Sequence, residues 1–166
     1  MRKEASLVSS TGECAMKKIL VAVDFSPASV EALRRAVQIG EKFDAFLLLL
    51  HVVHDPADMP GFYAAKKAGK KVLRNMEQSA RQMMDEFVAR HLKEYGRCEG
   101  RVVPGLPAAQ IVKAAEKEKV DLVVVGNRGR GGLERLMLGS VADKVIRTAP
   151  CPVLTVRDAA SKRKKK

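Results

Sequence analysis

The chain has 166 residues, enough for one ordinary domain but short of two, and its 31 Lys and Arg against 19 Asp and Glu give a formal charge of +12. With 46% apolar residues it is not a disordered or collagen-like chain, and no apolar run approaches the ~20 residues of a membrane-spanning helix. Three scattered cysteines, Cys14, Cys98 and Cys151, do not make the even framework of a small secreted disulfide fold, so the expected setting is the cytoplasm.

Residues 1–15 contain no apolar core long enough for a secretory signal, and Ser9 to Gly12 read as a flexible extension. Regular patterning starts after Met16. Ile19 to Val23 (ILVAV) is a short, β-branched apolar run that suits a strand buried on both faces. Asp24-Phe25-Ser26-Pro27 follows, with Ser26 as a helix N-cap and Pro27 at the first helical position. Val30, Ala32, Leu33, Ala36 and Val37 then recur at helical spacing, to an end near Gly40 or Phe43. Ala45 to Val53 (AFLLLLHVV) is a second buried strand.

Residues 54–70 hold Pro56, Pro60, Gly61 and Gly69 and read as a long connection. Val72, Met76, Ala80, Met83, Met84, Phe87, Val88 and Leu92 mark a long amphipathic helix whose methionines are expected in the core. Cys98 to Val103 is a weaker third strand, Pro107 to Lys119 a helix, and Val120 to Val125 (VDLVVV) a strong fourth strand. A glycine-rich segment leads to a helix over Ser140 to Thr148, and Pro152 to Val156 (PVLTV) is a fifth strand. Buried strands alternating with amphipathic helices predict an α/β fold, a doubly wound parallel sheet with helices on both faces. In such sheets ligands bind at the carboxyl ends of the strands, where the winding reverses. Asp24 and the glycine-rich segment lie at those ends.

The segment from Gly126 to Ser140 (GNRGRGGLERLMLGS) carries glycine at both ends and three arginines, Arg128, Arg130 and Arg135. Glycines let backbone N–H groups curl inward, and Gly139-Ser140 opens a helix whose unpaired N–H groups and dipole favour an anion. It is no P-loop, because Leu138 precedes Gly139-Ser140 where a Gly-Lys-Ser/Thr sequence is needed. The Gly-x-Gly-x-x-Gly spacing fails as well, since Gly129 and Gly131 are followed by Glu134 at the third place. The spacing present is Gly-x2-Gly-x9-Gly-Ser, formed by Gly126, Gly129, Gly139 and Ser140.

That loop, with Ile19-Leu20-Val21-Ala22-Val23-Asp24-Phe25-Ser26, Leu49-Leu50-His51-Val52, Asp121 to Gly126 and Ala149 to Leu154, resembles the universal stress protein family, specifically its ATP-binding branch. The likeness spans Lys17 to Arg157, within an expected domain over 16–158. The resemblance implies five parallel strands in the order 3-2-1-4-5 and ATP at the switch point, possible Mg2+ beside it, with ADP or AMP as other states of the same ligand. It implies Asp24 on the ribose or adenine side, and Gly126, Arg128 and Gly129 close to ribose and phosphates. It implies Gly139, Ser140 and Val141 on phosphate oxygens, and the backbone near Leu47 on the adenine edge. It also implies a homodimer through the last strand, Pro152 to Val156, which fits an exposed apolar edge.

Other chemistry is weaker in the sequence. His51 lies inside an apolar run and reads as a packed, hydrogen-bonded side chain. His54, Asp55 and Asp58 match no closed metal site, and the cysteines share no Cys-x-x-Cys spacing. Slow ATP hydrolysis or autophosphorylation is the first alternative, but Glu134 is the one carboxylate of the glycine-rich segment and no convincing base accompanies it. Nucleic-acid binding through Lys162 to Lys166, in a basic tail over 159–166 expected to be disordered, is the second; with no Trp and two Tyr there is little to stack on bases.

Overall fold

The computed structural model describes residues 16–54, 66–127 and 138–157, with backbone only for 66–69. The expected extension 1–15 and basic tail 159–166 lie outside them, as do Asp55, Asp58, Arg128, Gly129, Arg130, Glu134 and Arg135.

The elements run β1 (Lys18–Ala22), α1 (Pro27–Phe43), β2 (Phe46–Val53), α2 (Lys66–His91), β3 (Cys98–Pro104), α3 (Pro107–Glu118), β4 (Leu122–Gly126), α4 (Ser140–Thr148) and β5 (Val153–Val156). All strand pairs are parallel, in the order β3-β2-β1-β4-β5. Alternate residues of the central strands supply two cores. Ile19, Val21, Leu47, Leu49, Leu122 and Val124 pack with Ala32, Leu33 and Ala36 of α1 and Met84 and Phe87 of α2. Leu20, Leu48, Leu50, Val123 and Val125 pack with Ala108, Ile111 and Ala115 of α3 and Ala142 and Val145 of α4. Burial on both faces explains the unbroken apolar runs. Each fully buried leucine of β2 contributes about 1.5–3 kcal/mol.

Helix ends follow local chemistry. Ser26 caps α1, its Oγ accepting from Ser29 N at 3.2 Å, with Pro27 in the first turn. At the other end of α1, Asp44 takes a left-handed conformation and its N–H bonds Gly40 O. Lys119 closes α3 in the same way.

Two expectations change. The long helix begins at Lys66, inside the stretch read as a connection, because Lys66, Lys67 and Gly69 carry no apolar periodicity. Nor do its methionines all enter the core: Met84 is buried, but Met76 and Met83 are 40% and 41% exposed. Met83 lies on the outer side of the helix, beside buried Met84 and between buried Ala80 and Phe87; for Met76 the cause is length. At 1.5 Å per residue the 26 residues of α2 span about 39 Å, whereas the eight of β2 span about 26 Å, so its first turns outrun the sheet.

Close packing sets a test. A Cβ at Gly40 would lie 3.0 Å from Tyr95 Cζ and closer still to the hydroxyl, which donates to the carbonyl of fully buried Ala45. Helix propensity favours Gly40→Ala by ~1 kcal/mol, but overpacking costs about 1–3 kcal/mol and displacing the tyrosine hydroxyl costs roughly 1 kcal/mol more. The variant is therefore expected to be less stable by about 1–3 kcal/mol in urea titration.

Candidate functional site

The carboxyl ends of β1 and β4 lie side by side, and the helices that follow them leave toward opposite faces of the sheet. A crevice at this point is a consequence of topology. Its walls are the segment 23–26 after β1, the end of β4 at Gly126-Asn127, and the start of α4 at Gly139-Ser140.

Asp24 is half-buried, and its Oδ1 accepts from Ser26 N at 3.0 Å, closing a small turn over Phe25. Phe25 has φ +61, a left-handed conformation that costs a non-glycine residue on the order of 1–3 kcal/mol. Its ring lies 4.6 Å from that of His51 and 5.6 Å from that of Phe87, centre to centre. Phe87 in turn meets His91 at 4.7 Å. Burial, with the charges of Arg90 and Arg34, lowers the pKa of His91.

Gly126 has a packing reason for being glycine. A Cβ there would stand 3.0 Å from Ala28 Cβ and 3.1 Å from the Ala28 carbonyl carbon, so β4 and the first turn of α1 approach closely. Beyond it, Asn127 joins three elements: its N–H donates to Val156 O of β5 at 2.7 Å, and its carbonyl accepts from Gly139 N at 2.8 Å. Residues 127 and 139 are thereby held together. Gly139 is the N-cap of α4 and supplies no side-chain cap. The first intrahelical bond is Asp143 N to Gly139 O at 2.9 Å, so the N–H groups of Ser140, Val141 and Ala142 precede the helix's own ladder. The start of α1 differs: Pro27 has no N–H, Ser29 N is capped by Ser26 Oγ, and Val30 N bonds Ser26 O. Of the two helix starts at the crevice, α4 is the one suited to an anion.

Asp24, Gly126, Gly139, Ser140 and Val141 thus gather at one end of the sheet. Leu47 does not join them, which corrects the expectation for the adenine edge. It pairs with Ile19, five residues before Asp24, which places it about 16 Å toward the amino ends of the strands. Its N–H donates to Arg97 O on the β3 side, and its side chain is fully buried. The residue that sequence reading missed is Val52. Phe46 N bonds Lys17 O and Leu50 O accepts from Val23 N, so the even-numbered peptide groups of β2 face β1. The β1–β2 register ends at Ala22↔Leu50, and the Val23 carbonyl, the next rung for Val52 N–H, accepts from His51 Nδ1 at 2.7 Å. The Val52 peptide therefore faces the crevice. The fall from leucine to His51 was the available signal.

No three His, Cys, Asp or Glu side chains gather as a metal site among the described residues. Burial raises the pKa of Cys98 and Cys151, which disfavours the reactive thiolate.

A sequence model described as the universal stress protein family matches residues 16–157. Universal stress protein MJ0531 of Methanocaldococcus jannaschii is 37% identical over 148 residues, covering 88% of this chain and 85% of its own. The structure of universal stress protein UspA from Lactobacillus plantarum has a TM-score of 0.72 at 29% identity, covering 86% of this chain and 98% of that one. A universal stress protein in complex with cAMP has a TM-score of 0.57 at 28% identity, covering 87% and 99%. Strand order, crevice and sequence agree: the chain belongs to the universal stress protein family.

Proposed function

We propose that this protein binds an adenine nucleotide, ATP in particular, at the carboxyl ends of β1 and β4, and serves as a regulatory or stress-response binder. The observation that carries this reading is the start of α4, uncapped by its own N-cap side chain and set across the crevice from Asp24. Phosphate oxygens accept from the N–H groups of Ser140 and Val141, with the Ser140 hydroxyl as a further donor. The Asp24 carboxylate accepts from a ribose hydroxyl, and the Val52 peptide pairs with the adenine edge. Gly126 keeps β4 close to α1, which fixes the width of the crevice. Arg128 and Gly129 belong to this reading by their loop positions. Mg2+ would accompany the triphosphate as part of the ligand. The cAMP complex of a relative supports the class of ligand. A cytoplasmic location belongs to the same reading, on the sparse cysteines of the sequence.

Calorimetric titration tests the reading. Gly139→Val is expected to weaken ATP by about tenfold or more, because a branched Cβ stands where the phosphates approach the backbone. Wild-type affinity in that variant would remove the start of α4 from the site. Asp24→Ala is expected to weaken ATP about tenfold while leaving inorganic tripolyphosphate unchanged. Equal loss of both ligands would take Asp24 out of the nucleoside role.

We further propose a homodimer through β5. Val123 N bonds Pro152 O and Asn127 N bonds Val156 O, so the even-numbered peptide groups of β5 face β4 and those of Val153 and Thr155 face outward. Thr155 is exposed, and among the described residues β5 pairs only with β4. Such an edge accepts a second strand. Thr155→Pro deletes an outward donor and spares the β4 ladder. It is expected to sediment as a monomer where the wild type sediments as a dimer; an unchanged dimer would move the contact elsewhere.

A further inference from the structure

We infer that Phe25 is the positioning residue of the crevice, its clamped ring holding the Asp24 carboxylate in place. Three observations meet at this side chain. Its backbone is left-handed, at φ +61, although it is neither glycine nor asparagine. That reversal is what brings Ser26 N–H back to Asp24 Oδ1 at 3.0 Å, so the orientation of the carboxylate depends on the conformation of the residue between them. The ring itself is held from two directions, by His51 at the end of β2 and by Phe87 on α2, the latter edge to face.

The clamp is anchored on both sides. His51 Nδ1–H donates to Val23 O, which fixes the imidazole against the residue that follows β1. Phe87 is buried beneath α2 and touches His91 at its far side. A strained backbone persists only where its surroundings over-determine it, and here the surroundings are aromatic rings from two other elements. Released from them, Phe25 relaxes to an ordinary conformation and Asp24 loses its turn. Phe25 faces the protein and makes no contact with ligand in this account. Its effect on binding passes through Asp24, and the binding part of the inference rests on the proposed nucleotide site.

The test uses Phe25→Ala. Alanine removes the ring but keeps the Cβ that makes φ +61 costly, so nothing holds the strained backbone in place. Two readouts are taken. In the ligand-free protein, hydrogen exchange at the Ser26 amide is expected to quicken about tenfold or more. In calorimetry, Phe25→Ala is expected to weaken ATP about tenfold, to leave tripolyphosphate unchanged, and to add nothing to the loss in Asp24→Ala when the two are combined. Phe87→Leu leaves the sequence of the turn intact and is expected to move both readouts in the same direction by less, and it carries the test if Phe25→Ala does not fold. Unchanged Ser26 exchange in both variants, or losses in ATP affinity that multiply in the double variant, would overturn the inference. If the wild type binds no ATP while Ser26 exchange quickens in the variants, the positioning role stands and the nucleotide reading falls.

Discussion

The position of β1 is the constraint on which the rest of the structure depends. It sits in the middle of the sheet, bonded to β2 on one side and β4 on the other, with Ile19, Leu20 and Val21 fully buried. A parallel strand so placed needs a helical crossover after it, and α1 supplies that crossover on one face. The path to β4 returns by α3 on the other face. The chain therefore leaves β1 and β4 in opposite directions, and a gap opens where they part. Asp24, Gly126 and the start of α4 stand around that gap because the winding puts them there.

Short-range chemistry then shapes the gap. Ser26 satisfies the first turn of α1, which leaves the α4 start as the better donor surface. Asn127 joins β5 to Gly139 through its own peptide group, so the helix start is fixed relative to the sheet by backbone bonds. Ala28 and Gly126 meet so closely that a Cβ at position 126 would press on the first turn of α1. On the other wall, His51 bonds the Val23 carbonyl just past β1 and packs on Phe25. Among the described residues, the region is thus built from backbone bonds and ring contacts.

Much of this was legible in the sequence. Buried parallel strands appear as apolar runs, and ILVAV and LVVV mark β1 and β4 without help from tertiary context. Gly139-Ser140 before a helical pattern located α4 at both ends. What stayed hidden has physical reasons. The resemblance puts the adenine contact at Leu47, early in β2, whereas the crevice lies at the carboxyl ends of the strands; FLLLLHVV is apolar almost throughout, so composition does not single out which of its residues lines the crevice. The parity of peptide groups, which separates Leu47 from Val52, emerges only when the pairing register is known. The first turns of α2 lack apolar spacing because they extend past the sheet and need no buried face. The left-handed backbone of Phe25 carries no local signature, since phenylalanine has no intrinsic preference for it.

The central claim is that the crevice between β1 and β4 is an adenine nucleotide site. Backbone amide resonances followed during titration with ATP and Mg2+ test it most directly. The account predicts saturable shifts concentrated at Ser26, Val52, Asn127 and Gly139 to Ala142, with Leu47 and the amino ends of the strands unmoved. Shifts confined to Lys162–Lys166, or none at any ATP concentration, would contradict it.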